Sequence, residues 1–336
     1  MKKIILFSIF HFLFSIMPVS AQFDLPNLNL APTLSLTADP ITPLPNSAIT
    51  VTASLSGITN VNNSNYAWFL NGVKQTNASG LNKNAFAVRA GVLGTIYRIG
   101  VTISTPAGDN LSDSVSVTVS DIDLTWNSNN EAPVGYSAKI FPTQDSVVSI
   151  SAFSSIYNPG TKTLLGSNGL IYNWYVNDKF SVNLSGLGKQ DFGFIIGDPA
   201  GGNTSIQLDV KNESGVIALT KSITIPISRP QILVYLADSK TSIPIGAAIK
   251  NIVINTAKLL NFTAQSYFFN TPNNQLKLNW IINNQIVSGR TNSPWLASFD
   301  VPANIVRPFN ALIQVTAQNP NKLSEIDTVN INFQMQ

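Results

Sequence analysis

Three segments of the sequence carry one pattern centred on a tryptophan, and this repeat restricts the fold more than any other feature. They lie at 66–72, 172–178 and 278–284 and read YAWFLNG, YNWYVND and LNWIINN. Each has an aromatic or apolar residue, a spacer, the tryptophan, two apolar residues, an asparagine and a second turn-forming residue. The tryptophans are 106 residues apart in both intervals. A recurrence at a fixed period indicates tandem copies of one structural unit.

Each copy of the pattern predicts a β-strand that turns back at once. Tyr66, Trp68 and Leu70 alternate with their neighbours at the period of two that places one set of side chains on a buried face. Asn-Gly, Asn-Asp and Asn-Asn tolerate positive φ at both central positions of a type I′ turn, so they favour a two-residue hairpin. Trp68, Trp174 and Trp280 are therefore predicted to be core residues.

Alternating apolar residues around each tryptophan predict the remaining strands of an all-β unit. The first copy continues with a strand that opens at Tyr97, and the third continues with one that opens at Phe309. Both residues fall 29 positions after their tryptophan, so they are predicted to be equivalent members of the core. In the second copy the matching strand is shifted by one residue. Charged residues are only 11% of the chain and turn residues recur throughout, so no long helix is predicted.

The alternating pattern restarts twice, and these restarts predict the domain boundaries. The sequence divides into domains at 33–121, 122–229 and 230–336, preceded by an extended leader at 22–32. The connections between domains are short, which predicts a semi-rigid rod and not a flexible string. The segment 154–169, ahead of the second tryptophan, is longer than its counterparts and rich in Ser, Gly and Asn, so it is predicted to be a surface loop.

Residues 1–21 have the successive basic, apolar and small-residue regions of a secretory signal peptide. Lys2 and Lys3 precede an apolar run that ends at Met17, and small residues precede Gln22. The run is shorter than the roughly 20 apolar residues that span a bilayer, so cleavage is favoured over a membrane anchor. The sequence predicts an exported protein, in the periplasm, on the cell surface or secreted. No transmembrane segment is expected in the mature chain.

Removal of the signal leaves a chain with little catalytic chemistry. The only histidine, His11, is lost with it, and the sequence has no cysteine. Catalytic triads, cysteine nucleophiles and zinc sites therefore cannot form. The mature chain has 18 basic and 17 acidic residues, which predicts no nucleic-acid partner. The glycine-rich segment 197–202 lacks the Lys-Ser/Thr of a phosphate-binding loop and is predicted to be a turn. We expect neither an enzyme nor a cofactor.

A buried tryptophan on one strand, followed by a tyrosine that opens a later strand, resembles the immunoglobulin-like sandwich without its disulfide. Tyr97-Arg98-Ile99 matches the tyrosine corner of that family. The first copy is similar to the PKD-type domains of bacterial surface proteins through segments 33–40 and 68–72, although it lacks the aspartate of their usual Trp-x-Phe-Gly-Asp-Gly motif. The resemblance implies three tandem immunoglobulin-like (PKD-like) β-sandwiches that serve adhesion, spacing or surface assembly.

Two acidic residues at the first boundary are a weak candidate calcium site. Asp121 and Asp123 would place both carboxylates on one face of a strand. Calcium requires several oxygen ligands, to which Asn127, Asn129 and Asn130 could contribute. The number of acidic ligands is low, so the alternative, that these are solvated acids at a linker, is favoured.

Three aromatic residues fall outside the repeated core positions: Trp126, Tyr157 and Trp295. Such residues can stack on a sugar or dock a partner when exposed. The alternative, packing at the joints or in the core, is favoured because large aromatic residues are mostly buried. The leading hypothesis is a non-catalytic interaction or spacer protein, adhesive or part of an envelope or pilus assembly, with a protein or glycan partner on the cell envelope. The second is a carbohydrate-binding protein that uses these aromatics.

Overall fold

The computed structural model describes residues 31–57, 61–256, 258–287, 293–301 and 304–336. The predicted signal peptide and residues 22–30 of the predicted leader lie outside this range. The described residues form 25 β-strands and three short 3-10 turns, at Ser167–Gly169, Val182–Leu184 and Asn273–Gln275. No helix among them is long and apolar enough to cross a membrane.

The strands fall into three consecutive groups, each around its own hydrophobic core, and we call these groups the first, second and third units. The first comprises β1 (Thr33–Asp39), β2 (Ala48–Ser56), β3 (Asn65–Leu70), β4 (Val73–Lys74), β5 (Gly80–Leu81), β6 (Ala85–Arg89), β7 (Ile96–Ser104) and β8 (Asn110–Thr118). The second comprises β9 (Asp121–Ser128), β10 (Val147–Ser155), β11 (Leu170–Val176), β12 (Lys179–Phe180), β13 (Gly186–Leu187), β14 (Asp191–Ile195), β15 (Asn203–Asn212) and β16 (Ala218–Pro226). The third comprises β17 (Gln231–Ala237), β18 (Pro244–Ile245), β19 (Asn251–Ile254), β20 (Leu259–Tyr267), β21 (Lys277–Ile282), β22 (Gln285–Val287), β23 (Leu296–Asp300), β24 (Phe309–Asn319) and β25 (Lys322–Met335).

Each unit is a sandwich of two sheets, and both sheets of the first two units are antiparallel. In the first unit the sheets are β1-β2-β6 and β4-β3-β7-β8, and in the second they are β9-β10-β14 and β12-β11-β15-β16. The short strands β5 and β13 pair with β3 and β11, beside β4 and β12. Apolar side chains of both sheets meet in each core. The chain is therefore all-β and built of immunoglobulin-like sandwiches, as the repeated pattern predicted.

The third unit differs at the edge of its larger sheet. Its smaller sheet is β18-β17-β20-β23, and its larger sheet is β19-β25-β24-β21-β22. Strand β19 pairs in parallel with the last strand, β25, and so covers that edge. In the first two units the corresponding last strands, β8 and β16, have no described strand on their outer side. Their backbone edges can accept another strand.

The hairpin after each tryptophan has the predicted type I′ geometry. Both central residues of every turn have positive φ: Asn71 51° and Gly72 83°, Asn177 48° and Asp178 61°, Asn283 45° and Asn284 68°. The asparagines also have a role that the sequence did not reveal, because each side-chain oxygen accepts the backbone N–H of a neighbouring strand. The distances are 2.9 Å to Arg98, 2.9 Å to Ser205 and 3.0 Å to Leu312. The repeated asparagine thus connects the turn to the sheet.

The register between the tryptophan strand and its longer neighbour changes from unit to unit. Trp68 lies opposite Val101, Trp174 opposite Leu208 and Trp280 opposite Val315. The one-residue shift predicted for the second unit is confirmed. The predicted equivalence of Tyr97 and Phe309 is wrong, since the shift in the third unit is two residues and Ala311 occupies the position of Tyr97. Tyr97 and Phe309 have equal spacing from their tryptophans although they are not equivalent. The connection before β24 is longer than the one before β7, and β24 begins earlier in the register.

Candidate interaction surfaces

The three repeated tryptophans lie at the centres of the cores. Trp68 and Trp174 are 0% exposed and Trp280 is 1% exposed. Each indole N–H donates to a backbone carbonyl, at 2.8 Å to Lys83, 2.8 Å to Lys189 and 2.9 Å to Pro294. A buried indole needs such an acceptor, because an unpaired N–H would lose its hydrogen bond to water. These residues stabilise the units and offer no surface to a ligand.

Tyr97 forms the predicted tyrosine corner. Its hydroxyl accepts the N–H of Gly91 at 2.8 Å, and it packs partly buried on the first core. Phe309 is also partly buried, on the third core, with its ring 6.3 Å from that of Phe333. A phenylalanine has no hydroxyl, so no corner hydrogen bond can form there. The two residues therefore share packing but not a structural role.

In the second unit, a threonine hydroxyl replaces the tyrosine and organises the glycine-rich turn. Thr204 donates a short hydrogen bond to Asp198, and the Asn177 amide donates to the same carboxylate at 3.0 Å. These hydrogen bonds hold the pKa of Asp198 below its usual value, since they favour the charged form. The segment 197–202 is thus held by side chains within the unit.

Trp126, one of the three aromatics proposed to contact a ligand, lies half-buried on β9 against the second core. Its ring is 6.3 Å from that of Phe141, and the Lys139 ammonium lies 4.1 Å from its centroid. Burial lowers the pKa of Lys139, because desolvation disfavours the charged amine. These contacts account for Trp126 through packing alone.

Tyr157 and Trp295 lie in two other parts of the chain. The ring of Tyr157 packs on Gly94 of the first unit, where its hydroxyl would be 3.5 Å from an added Cβ. Trp295 is half-buried against the third core, and its carbonyl accepts the N–H of Ala264 at 2.8 Å. The structure does not bring the three aromatics together, and each one packs within or between units.

The candidate calcium residues lie on the outward face of β9. Asp121 already forms an ion pair with Lys221, at 3.0 Å, and accepts the N–H of Ile122 at 2.8 Å. Asn127 is six residues further along the strand, about 20 Å away. Asn130 is buried at the other end of the strand. The neighbouring asparagines therefore cannot join Asp121 and Asp123 around one ion. Among the described residues no three His, Cys, Asp or Glu side chains are grouped as a metal site.

We expect EDTA and millimolar calcium to leave the melting temperature of the protein unchanged. A cation at Asp121 would have to displace Lys221 and would still lack ligands. Differential scanning calorimetry with and without each reagent measures this. A rise of several degrees in calcium, abolished by Asp123→Asn, would contradict the expectation.

At the first joint, between the first and second units, the segment 154–169 of the second unit folds back onto the first unit. Tyr157 donates its N–H to the Ser120 hydroxyl at 3.1 Å, and Thr118 donates to the carbonyl of Thr161 at 3.0 Å. Leu44 of the first unit packs on the second core. A Cβ on Gly160 would lie 2.6 Å from the Ser116 side chain, so only glycine permits this approach. The segment 154–169, predicted to be a surface loop, is mostly at the surface and also contacts the first unit.

The second joint, between the second and third units, is formed by backbone pairing across distant parts of the chain. The N–H of Phe268 donates to the carbonyl of Glu131 at 2.7 Å, and the N–H of Glu131 donates to the carbonyl of Phe269 at 2.8 Å. The Asn130 amide donates to the Phe268 carbonyl at 2.8 Å. The Asn129 amide also donates to Oδ1 of Asn270 at 3.1 Å, so one segment of the second unit binds one loop of the third through four hydrogen bonds.

Charged side chains add to the second joint. Lys322 of the third unit forms an ion pair with Asp145 of the second at 2.8 Å and donates to the carbonyl of Gln144 at 2.7 Å. Glu325 is 3% exposed, and its carboxylate accepts the backbone N–H of Asn270. Glu325 therefore fixes the loop that contacts the second unit.

A chain of aromatic rings fills the space beside these hydrogen bonds. Phe268 packs edge-on against Phe141 at 5.8 Å and against Tyr136 at 5.9 Å, and Tyr136 packs on Tyr267 at 5.7 Å. Burial, and a hydrogen bond with the Tyr235 hydroxyl, raise the pKa of Tyr267. Phe268 has φ of 64°, a conformation that a bulky residue adopts only where its surroundings hold it. The second joint supplies those contacts.

The outward face of each larger sheet carries a second repeated feature. The residue after each tryptophan points away from the core, and the hairpin places a second outward side chain beside it. The pairs are Phe69 with Lys74, Tyr175 with Phe180, and Ile281 with Ile286. The sequence prediction did not include these positions. The motif nevertheless indicates them, because the residue next to a buried strand residue faces outward.

The pair in the second unit is aromatic and has polar neighbours. The rings of Tyr175 and Phe180 are 5.4 Å apart, and Phe180 is 50% exposed. Gln207 lies directly opposite Tyr175, and Asp209 lies opposite Asn173. We call the following outward residues the ring patch: Phe180, Tyr175, Gln207, Ser222, Asn173, Asp209 and Thr220. It is a platform of one exposed and one half-buried aromatic ring beside hydrogen-bonding groups.

No family model matches the chain, and no curated protein matches it. Similar solved structures include three N-terminal domains of the bacteriophage RB49 Highly Immunogenic Outer Capsid protein, 15% identical, with 91% of this chain and 99% of that chain covered and a TM-score of 0.26. A putative membrane anchored protein of Corynebacterium diphtheriae is 11% identical, with 90% and 91% covered and a TM-score of 0.25.

A further similar structure is a Bacteroides ovatus protein from a mixed-linkage glucan utilization locus, SGBP-B, in complex with a mixed-linkage heptasaccharide. It is 8% identical, with 88% of this chain and 65% of that chain covered and a TM-score of 0.21. At TM-scores this low the likeness carries no argument about function. The fold follows from the strand order, and the chain is a series of immunoglobulin-like β-sandwich units.

Proposed function

We propose that this chain is an exported, non-catalytic spacer on the cell surface or in the periplasm, which holds its units in fixed relative orientation and presents a binding surface to an envelope partner. The observation that carries the proposal is the construction of the two joints. Hydrogen bonds close both joints: they join hydroxyls to backbone groups at the first joint and backbone groups to one another at the second. Side chains pack beside them at both joints. An adhesive role, or a place in an envelope or pilus assembly, is the corresponding biological setting.

Joints of this kind differ physically from flexible linkers. A Gly/Ser linker leaves each domain free to rotate, whereas paired backbone groups and packed rings restrict rotation. At the second joint Phe268, with φ of 64°, is held by hydrogen bonds and ring contacts from the second unit. A spacer transmits position only if its joints resist bending, and these contacts support that role.

The non-catalytic part of the proposal rests on composition. Without residues 1–21 the chain has neither histidine nor cysteine. Its acidic residues near the joints form ion pairs or hydrogen bonds, as Asp121, Asp145 and Glu325 do. Such carboxylates are committed to structure and do not face each other across a cleft, as a glycosidase requires.

Small-angle X-ray scattering on the exported protein tests the spacer. Three units joined in series should give a radius of gyration well above the value for a compact globule of this length, about 20 Å. The distance distribution should be skewed, with a long tail. A radius close to 20 Å would refute the spacer, because the units would then have to fold back on one another.

A second candidate function, carbohydrate binding, is favoured by the ring patch. The three aromatics first considered for it pack against the second core, at the first joint and against the third core, so they do not support it. The outward pair of half-buried Tyr175 and exposed Phe180 does, because neighbouring rings with adjacent amide and carboxylate groups provide the contacts that a sugar needs.

A further inference from the structure

We propose that the ring patch of the second unit binds a neutral polysaccharide. The inference deepens the proposed interaction role by naming the class of partner, but it does not require the spacer geometry. A compact chain could bind through this face, and an extended chain could fail to bind. The two proposals can therefore fail separately.

The aromatic pair provides the apolar half of the site. Tyr175 and Phe180 lie side by side on neighbouring strands, with rings 5.4 Å apart and inclined by 52°. Phe180 is 50% exposed, although a side chain of this type is normally buried. A sugar ring presents C–H groups on its faces and hydroxyls at its edge. It can therefore cover an aromatic face while its hydroxyls stay hydrogen-bonded.

The polar half of the site is already organised. Gln207 donates its amide N–H to Oδ1 of Asp209 at 3.1 Å, and Thr220 donates its hydroxyl to the same oxygen at 2.8 Å. The amide oxygen of Gln207 and Oδ2 of Asp209 remain as acceptors beside the rings. Sugar hydroxyls donate to such acceptors, and fixed planar groups lose little entropy when they bind.

Charge selects a neutral chain over an acidic one. Asp209 is an acceptor-only carboxylate within the patch, and the exposed Lys211 lies on the same face beyond Asp209, on the side away from the rings. A uronic acid or sulfated sugar placed there would meet a like charge, which disfavours binding. A neutral sugar offers hydroxyl donors without that repulsion.

The dimensions of the patch suit a chain of sugars. It crosses the four strands β12, β11, β15 and β16, which are three interstrand steps or roughly 14 Å. That length accommodates about two or three linked sugar rings. The surface is an open sheet face, so it favours internal segments of a polysaccharide over a single sugar.

A purely structural role for the rings is the competing explanation, because aromatic cross-strand pairs stabilise hairpins. The other two units argue against it. The same hairpin, with the same positive φ at both turn residues, forms with Phe69 beside Lys74 and with Ile281 beside Ile286. The hairpin therefore does not need two aromatic rings, and the outward aromatic pair in the second unit requires another explanation.

Native affinity electrophoresis of the full chain, in gels that contain one polysaccharide each, tests the proposal. The panel is a β-glucan, a xylan, a mannan and an α-glucan, with pectate as the acidic member. We expect at least one neutral polysaccharide to retard the protein and pectate not to do so. Isothermal titration with oligosaccharides of the retarding polymer then gives the affinity.

The decisive variant is Tyr175→Ile with Phe180→Ile, which copies the pair of the third unit and so preserves the hairpin. It should weaken binding at least tenfold while its melting temperature stays near that of the wild type. Phe153→Ala is the matched control, since Phe153 is 62% exposed on the other sheet of the same unit, and it should bind normally.

Three results would each overturn the proposal. They are failure of every neutral polysaccharide to retard the wild type, equal binding by the double-isoleucine variant, and preferential binding of pectate. The scattering experiment is independent of all three, so a compact particle that binds glucan would refute only the spacer.

Discussion

Replacement of Trp68 by alanine should destabilise the first unit by on the order of 3–5 kcal/mol. The indole is 0% exposed and stacks on Phe86 with ring centroids 5.8 Å apart. Its removal leaves a cavity between the two sheets and takes the donor away from the Lys83 carbonyl. Since single domains are stable by only about 5–15 kcal/mol, the variant loses a large part of the first unit's stability.

Chemical denaturation followed by circular dichroism, and scanning calorimetry, measure this effect. The matched control is Phe69→Ala, because Phe69 is the next residue on the same strand but faces outward. Its replacement should cost at most about 1 kcal/mol, as expected for a cross-strand surface pair. Trp68→Phe should fall between the two, because it retains most of the ring but loses the N–H donor. A Trp68→Ala variant that unfolds like the wild type would show that the repeated tryptophan is not the centre of the core.

Replacement of Asn130 by alanine should uncouple the third unit from the second. Asn130 is 4% exposed, and its amide donates to the Phe268 carbonyl and to the Thr143 hydroxyl, both at 2.8 Å. Without it, buried polar groups lose a partner, at about 1–3 kcal/mol each. The Phe268 backbone, with φ of 64°, then loses one of the contacts that hold it. We expect the loop to relax and the joint to bend.

The absence of cysteine makes this prediction measurable by spin labelling. Cysteines introduced at Val216 in the second unit and Val253 in the third, both exposed, would be the only labelling sites. Pulsed electron resonance should show a narrow distance distribution in the parent and a broad one with Asn130→Ala. Asn127→Ala is the control, because Asn127 is exposed at the end of β9, three residues before Asn130. A distribution that stays narrow with Asn130→Ala would mean that the other contacts suffice and that this amide does not hold the joint.

Much of the fold could be predicted because the relevant forces are local. The alternation around Trp68 and the paired turn residues after it are properties of adjacent residues, and they fix a strand and a type I′ hairpin wherever they occur. Tyr97 was recognisable for the same reason, since its hydroxyl bonds a backbone N–H six residues earlier. Phe309 was misaligned because register depends on the length of a connection, which the spacing to a tryptophan does not resolve.

The candidate sites were less predictable, because they depend on residues that are distant in the sequence. The sequence around Trp126 and Tyr157 is the same whether these side chains face solvent or pack on other residues. Only the tertiary structure shows that Trp126 packs within its own unit and that Tyr157 packs on the first unit. The segment 154–169 shows the same limit, since its polar composition is equally typical of a free loop and of one bonded to the first unit.

Local chemistry thus determined the all-β class, the three tryptophan-centred repeats and the hairpins, because strand periodicity and turn conformation depend on neighbours along the chain. Tertiary structure decided how the units join and which aromatic residues stay exposed. The pairing of Glu131 with Phe268 joins residues 137 positions apart, and Gln207 meets Tyr175 only through the register of two strands. Contacts of that range arise from the simultaneous fit of whole sheets and loops, which no short stretch of sequence contains.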